Sequence, residues 1–171
     1  MGEFTSWALG LARDHAEWAA VIALCLAFAE SFAVISLLVP FASALVAFGA
    51  VAGSGGIDLM LIWIAASSGA ALGDWASYWL GWRFKHRIRH VWPLSLQPRL
   101  FGRARAFFKR WGAWAIVIGR FFGPFRATVP IAAGVSNMPW LQFQIANWAS
   151  AFLWAGLLLT PGLAASIWLA S

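Results

Sequence analysis

Charged side chains, cysteine and histidine are all scarce in this sequence. Only 11% of its 171 residues are charged and 62% are hydrophobic, whereas soluble domains have about a quarter of their residues charged. The single cysteine, Cys25, excludes an intramolecular disulfide. The three histidines lie outside the apolar runs, so we expect no metal site, cofactor or histidine-based catalysis. The composition therefore predicts one integral membrane domain, 1–171, in the all-α class.

The basic residues are concentrated in one stretch. Nine of the twelve Lys and Arg residues lie between 83 and 110, with no acidic residue among them. Beside membrane spans, such a block marks the cytoplasmic side. Apolar residues at helical spacing predict that 82–112 is an amphipathic basic segment in the cytoplasmic interface, although a plain basic connector is the alternative. Because lipid headgroups lie so close to this block, we expect no nucleic-acid partner.

Two segments, 57–81 and 140–160, are predicted to be spanning helices. At 1.5 Å per residue the first reaches roughly 37 Å, which is enough to cross a hydrocarbon core of about 30 Å. Small residues at every fourth position in this segment would let another helix backbone approach closely. They are Ala65, Gly69, Gly73, Ser77 and Gly81. In the second segment, Pro161-Gly162 predicts the end of the helix.

Two other apolar segments, 30–52 and 113–137, each contain Pro-Phe near the middle. Arms of about ten residues on either side of the proline would be about 15 Å long, which is half a bilayer. This length predicts re-entrant helical hairpins, with a straight span as the simpler alternative. Each broken segment is followed by a predicted spanning helix. Paired interrupted segments of this kind indicate a transporter built from two inverted-topology repeats.

Ionisable residues inside these apolar segments are the main functional signal. Glu30 opens the first broken segment, and Arg120 and Arg126 flank the proline of the second. A structural Glu–Arg pair is one explanation, but it leaves one cation over unless Asp74 neutralises it. A spare guanidinium beside exposed amides at a helix break would suit a phosphate or a carboxylate. The predicted substrate-binding residues are Arg120, Arg126, Gly123 and Pro124.

Three motifs in the chain resemble the DedA family, also described as the VTT or SNARE-associated Golgi-protein domain. The resemblance covers roughly 20–162. It rests on the acidic start FAESFAVISLLVPFASALVAFGA, on GDWASYWLGWRF at 73–84, and on GRFFGPFRATVPIAAGVSNMPWLQF at 119–143. The third motif is long and specific, since it combines two arginines, Gly-Pro, Ala-Gly and Met-Pro.

The resemblance implies a multi-pass protein of the bacterial inner membrane with two oppositely oriented re-entrant hairpins. It further implies movement of a lipid such as undecaprenyl phosphate or a phospholipid across the bilayer, by flipping or scrambling, linked to the proton-motive force. By the same resemblance, the family's essential glutamate falls on Glu30 and its essential arginines on Arg120 and Arg126.

One position departs from the family pattern. Many members carry a second acidic residue just after the proline of the first hairpin, whereas this chain reads Pro-Phe-Ala-Ser at 40–43. Either Glu30 acts alone, Asp74 substitutes for the missing carboxylate, or transport is not coupled to protons. Glu30 and Asp74 are therefore the candidate proton-coupling residues.

The leading functional hypothesis is a lipid transporter whose partner is a membrane lipid with an anionic headgroup. A proton-coupled antiporter of small molecules is the alternative, but the arginine pair would repel a cationic substrate. An enzyme is not expected, because the buried segments contain no nucleophile with a base and no metal ligands. A structural adaptor would not explain charges beside helix breaks. The sequence leaves open whether the chain forms a homo-oligomer.

Overall fold

The computed structural model describes residues 18–33, 58–88, 106–122, 126 and 128–170, with the backbone alone at 85–88, 162–163 and 165–170. Within these ranges the regular structure is entirely helical, which confirms the predicted all-α class. A further helical stretch occupies residues 106–111. The helices are α1 (Ala19–Ser31), α2 (Leu59–Ile88), α3 (Ala113–Phe121), α4 (Thr128–Val135) and α5 (Trp140–Ala170).

Two of the helices, α2 and α5, are long and apolar enough to cross a membrane. The qualifying stretches are Leu59–Phe84 and Trp140–Pro161, and about half of each is buried inside the bundle. Large apolar side chains on the other half point outward, among them Ile64 on α2 and Leu153 on α5. An outward apolar face on both helices is what contact with lipid requires.

The stripe of small residues on α2 receives the backbones of two other helices. A Cβ added at Gly69 would overlap the Leu24 carbonyl oxygen of α1, and one at Gly81 would overlap the Ile131 carbonyl oxygen of α4. At Gly73 an added Cβ would lie 2.6 Å from the Phe28 carbonyl oxygen. The predicted close approach is therefore confirmed. It allows the two partner helices to pack on α2 without intervening side chains.

Helix α2 continues beyond the predicted end of its span at residue 81. It runs to Ile88, with one non-helical residue, Phe84 (φ −107°, ψ 15°), where two helical pieces meet at a kink. Hydropathy marks where the hydrocarbon ends, whereas backbone hydrogen bonding can continue into the headgroup region. The first residues of the predicted amphipathic segment, 82–88, thus belong to α2, and residues 89–105 lie outside the described ranges.

The predicted stop at Pro161-Gly162 is wrong, because α5 passes through it and ends at Ala170. Proline has no N–H, so the carbonyl of residue 157, one turn earlier, loses its usual helical partner. Here the Thr160 hydroxyl donates to the Leu157 carbonyl oxygen at 3.0 Å and replaces that bond. Hydroxyl side chains commonly restore such bonds in membrane helices, which explains why the helix continues.

Glu30 does not open a broken segment as predicted; it lies in the last turn of α1. The helix ends at Phe32, whose backbone is extended (φ −73°, ψ 114°). A carboxylate is a plausible helix boundary in an apolar sequence, but this one is paired in the interior and can remain within the helix. The rest of the first predicted hairpin, including Pro40, lies outside the described residues.

The second broken segment is interrupted where the sequence indicates. Helix α3 ends at Phe121 and α4 begins at Thr128, while Gly123 and Pro124 lie outside the described residues. A Cβ added at Gly119 would come within 2.6 Å of the Val129 side chain, so the chain turns back on itself between these helices. At the far ends of the pair, residues 112 and 137 line one cavity. We refer to residues 112–138 as the α3–α4 hairpin.

Candidate functional site

Two ion pairs lie in the interior where four helices meet. Arg120 is in the last turn of α3 and Asp74 is within α2; they are 4% and 3% exposed. One terminal nitrogen of Arg120, Nη2, pairs with Asp74 Oδ2. The same nitrogen donates a hydrogen bond of 2.6 Å to Asn147 Oδ1 on α5. The tip of the α3–α4 hairpin is therefore held to both long helices through one guanidinium group.

Asn147 is held in one orientation by its other amide atom. Its Nδ2 donates to the Ala71 carbonyl oxygen at 2.8 Å, which directs Oδ1 toward Arg120. The side chain is fully buried, so these bonds are not exchanged with water. An amide that both donates to α2 and accepts from α3 fixes the position of the Arg120 guanidinium.

The second ion pair joins the hairpin to the end of α1. Arg126 Nη1 pairs with Glu30 Oε1, and Arg126 Nη2 donates to the Ser31 hydroxyl oxygen at 3.0 Å. The guanidinium carbon lies 3.9 Å from the centre of the Trp154 ring on α5, within the range of a cation–π contact. Arg126 thus contacts α1 through its edge and α5 through its face.

Side chains of α2 make hydrogen bonds to the end of α1, which carries Glu30, and to the end of the α3–α4 hairpin, which carries both arginines. The Ser77 hydroxyl oxygen accepts a bond of 3.0 Å from the Ala33 amide just beyond α1. One residue later, the Tyr78 hydroxyl donates to the Met138 carbonyl oxygen at the end of the α3–α4 hairpin, at 2.7 Å. Helix α2 therefore positions Glu30 and Arg126 relative to each other as well as supplying Asp74.

Each ion pair uses only part of the hydrogen-bonding capacity of its members. Among the described residues, Arg120 Nε and Nη1 and Arg126 Nε have no hydrogen-bond partner. The second carboxylate oxygens, Glu30 Oε2 and Asp74 Oδ1, also have none. Buried polar atoms are normally satisfied, and unsatisfied charged groups are costly. Three guanidinium nitrogens are thus available to an additional acceptor in the interior.

The pairing decides the charge balance that the sequence left open, because Asp74 neutralises Arg120 while Glu30 neutralises Arg126. Among the described residues, the cluster therefore contains two positive and two negative groups. Within these residues its capacity for an anion lies in N–H donors without a partner rather than in an unpaired charge.

The four charged residues singled out in the sequence are thus brought together, whereas Gly123 and Pro124 lie outside the described residues. The sequence analysis did not single out Ser31, Asn147 or Trp154 as site residues. A signal exists for two of them: Asn147 and Trp154 are seven residues apart, which places them on one face of a helix. No sequence feature links Ser31 to Arg126.

Together, the two apolar helices of spanning length and the buried cluster of paired charges indicate a helical membrane protein with a polar cluster in its interior. The sequence profile of the VTT domain family matches residues 39–164, about three quarters of the chain. The chain belongs to this family, the DedA/VTT membrane proteins.

Curated relatives agree with this assignment. Inner membrane protein YabI of Escherichia coli K12 is 35% identical over 140 residues, covering 81% of this chain and 55% of YabI. Inner membrane protein YghB of the same strain is 31% identical over 141 residues, covering 82% and 64% respectively. Inner membrane protein YqjA is 32% identical over 136 residues, covering 79% and 62%. The chain therefore spans 55–64% of the length of these relatives.

These relatives place the protein in the bacterial inner membrane, as predicted. No solved structure matches the chain.

Proposed function

We propose that this protein transports a lipid with a phosphate headgroup, such as undecaprenyl phosphate or a phospholipid, across the membrane. The observation that supports this most directly is the set of guanidinium nitrogens on Arg120 and Arg126 that have no hydrogen-bond partner among the described residues. Guanidinium groups bind phosphate oxygens through two parallel N–H bonds, and few other side chains do so as well. A phosphate between the two arginines would satisfy donors that the described part of the chain leaves unsatisfied.

The carboxylates give the proposed site a way to exchange its partner. A phosphate bound to the other guanidinium nitrogens brings a second negative charge close to Glu30 or Asp74 in a region of low dielectric. A nearby like charge disfavours the ionised form of a carboxyl group. The protonation states of Glu30 and Asp74 are therefore expected to change with occupancy, which would link lipid movement to protons. Asp74 takes the role of the carboxylate that the first hairpin lacks.

We further propose that the α3–α4 hairpin is re-entrant and opens to the cytoplasm, while α1 enters from the opposite side. In support, α1 runs parallel to α2, because Leu24 lies at Gly69 and Phe28 at Gly73. Helix α1 ends at the level of Ser77, within the span of α2 rather than at its end. The tip of the α3–α4 hairpin meets α2 at Asp74, also within the span.

Cysteine labelling tests these orientations. In a Cys25→Ser background, single cysteines at Gly55 and Ser136 should react with an impermeant reagent from opposite sides of the membrane. The removal of Cys25 is needed because this cysteine is exposed. Labelling of both positions from one side would contradict the proposed arrangement.

Transport in vesicles tests the proposed function itself. Purified protein would be reconstituted with fluorescent lipids that carry phosphomonoester or phosphodiester headgroups, and with a neutral glycolipid as a matched control. We expect the phosphate lipids, chemically unchanged, to cross faster than in protein-free vesicles, and the neutral lipid to remain at background. Movement of small cations in exchange for protons, without lipid movement, would favour the antiporter instead.

A further inference from the structure

A polar cavity lies at the open end of the α3–α4 hairpin, away from the buried ion pairs. Its volume is about 290 Å³, comparable to the lower end of the about 300–1,000 Å³ range of small-molecule pockets. Apolar side chains of Phe108 and Met138 form part of its wall. The polar lining comes from three chain segments: Lys109, Ser136, Asn137 and Gln142.

Exposed tryptophans surround the opening of this cavity. Trp111 and Trp114 flank one side of the hairpin opening, and Trp140 begins the helix on the other side; they are 46%, 68% and 55% exposed. Tryptophan is enriched at the membrane–water interface, where its ring contacts both environments. Together with the adjacent basic stretch 83–110, which marks the cytoplasmic side, they favour a position among the headgroups of the cytoplasmic leaflet.

The chemistry of the lining is that of a phosphate site. Lys109 supplies an ammonium group, Gln142 an amide and Ser136 a hydroxyl, and none of the described lining residues is acidic. Gly112 has a positive φ (52°), and an added Cβ would lie 2.8 Å from the Gln142 side-chain nitrogen. The absence of a side chain at Gly112 therefore leaves room for the Gln142 amide at the cavity wall.

We propose that this cavity docks the phosphate headgroup of a lipid in the cytoplasmic leaflet, at one end of the path to the buried arginines. The separation is short, because Gly112, just before α3, and Arg120 are eight residues apart, about 12 Å along a helix. The inference rests on the proposed function, because its ligand is the same kind of lipid, one with a phosphate headgroup. Docking itself requires no transport, so it can be measured separately.

The experiment is calorimetric titration of the purified protein in detergent with short-chain phosphatidic acid, and separately with inorganic phosphate. The decisive comparison is Lys109→Gln against Arg110→Gln. These two variants lose the same charge at adjacent exposed positions, but only Lys109 lines the cavity. Since hydrogen bonds to charged groups contribute about 1.5–3 kcal/mol, we expect Lys109→Gln to weaken lipid binding about tenfold or more. Arg110→Gln should change it less than about twofold.

Two further variants separate this proposal from the proposed function. Gln142→Leu should weaken docking like Lys109→Gln, whereas Arg120→Ala, which removes part of the buried site, should leave docking intact. Equal weakening by Lys109→Gln and Arg110→Gln would mean general attraction to basic residues and would overturn the proposal. Loss in Arg120→Ala alone would place the ligand at the buried cluster, which would overturn docking but leave the proposed function standing. Inorganic phosphate binding as tightly as the lipid would overturn the assignment to a lipid headgroup.

Discussion

We expect Arg120→Ala and Arg126→Ala each to reduce lipid transport in vesicles to the protein-free background. Each substitution removes guanidinium donors that the proposed phosphate would use, and alanine offers no replacement. Charge-assisted hydrogen bonds contribute about 1.5–3 kcal/mol each, so the expected loss is at least about a hundredfold for Arg120, which offers two such nitrogens, and at least about tenfold for Arg126, which offers one. The measurement is the initial rate of headgroup movement, normalised to the amount of folded protein recovered in the vesicles.

The lysine variants control for charge. Arg120→Lys and Arg126→Lys retain a cation for Asp74 and Glu30, so the folded protein should be recovered in normal yield. A lysine cannot make the planar two-pronged contact, and transport should fall at least about tenfold. Full transport with lysine at both positions would show that a point charge is sufficient. The two-pronged phosphate site would then be abandoned.

Glu30→Ala lowers the free energy of unfolding by about 3–5 kcal/mol, because it leaves the guanidinium of Arg126 buried without its carboxylate. Because Glu30 pairs with Arg126 and not with Arg120, the compensating change is specific. Glu30→Ala with Arg126→Ala should regain most of the stability. Glu30→Ala with Arg120→Ala should be less stable than Glu30→Ala alone, since Asp74 then also lacks its partner. Denaturant unfolding in detergent measures the free energy of unfolding of the unsubstituted protein, of Glu30→Ala and of the two double variants.

Transport by the same variants distinguishes a functional pair from a structural one. Glu30→Gln retains shape and hydrogen bonding but cannot titrate, so transport by this variant should lose the part of its dependence on an imposed pH gradient that Glu30 supplies, while Asp74 remains titratable. The double variant Glu30→Ala with Arg126→Ala should fold but not transport. If it transports at the normal rate, the ion pair is only structural and the anion-site mechanism fails.

The residue types of the site could be predicted because buried charge is unfavourable in any membrane fold. Glu30, Asp74, Arg120 and Arg126 stand out against apolar neighbours whatever their partners are. The close approach of helices at Gly69, like the spans and the interruption before Thr128, follows from residue size and backbone chemistry within a few turns. These properties depend on residues that are close together in the chain, so the sequence alone is enough to predict them.

The pairing within the site could not be predicted in the same way. Arg120 and Asp74 are 46 residues apart, and Arg126 and Glu30 are 96 apart. Which carboxylate meets which guanidinium depends on how the α3–α4 hairpin folds back and on which face of α2 it packs. The ring of Trp154 reaches Arg126 for the same reason.

Helix ends were decided by side-chain hydrogen bonds and ion pairs, one local and one tertiary, rather than by the sequence signals for a helix end. Pro161 does not end α5 because the Thr160 hydroxyl satisfies the freed carbonyl, and Glu30 stays inside α1 because Arg126 pairs with it. The sequence by itself therefore determined the membrane class and the charged residues of the site, which follow from composition and local spacing, and the family, which follows from the resemblance of three motifs. Only the tertiary structure decided that the four charges form two separate pairs and that, among the described residues, three guanidinium nitrogens have no partner, because that outcome depends on contacts between segments far apart in the chain.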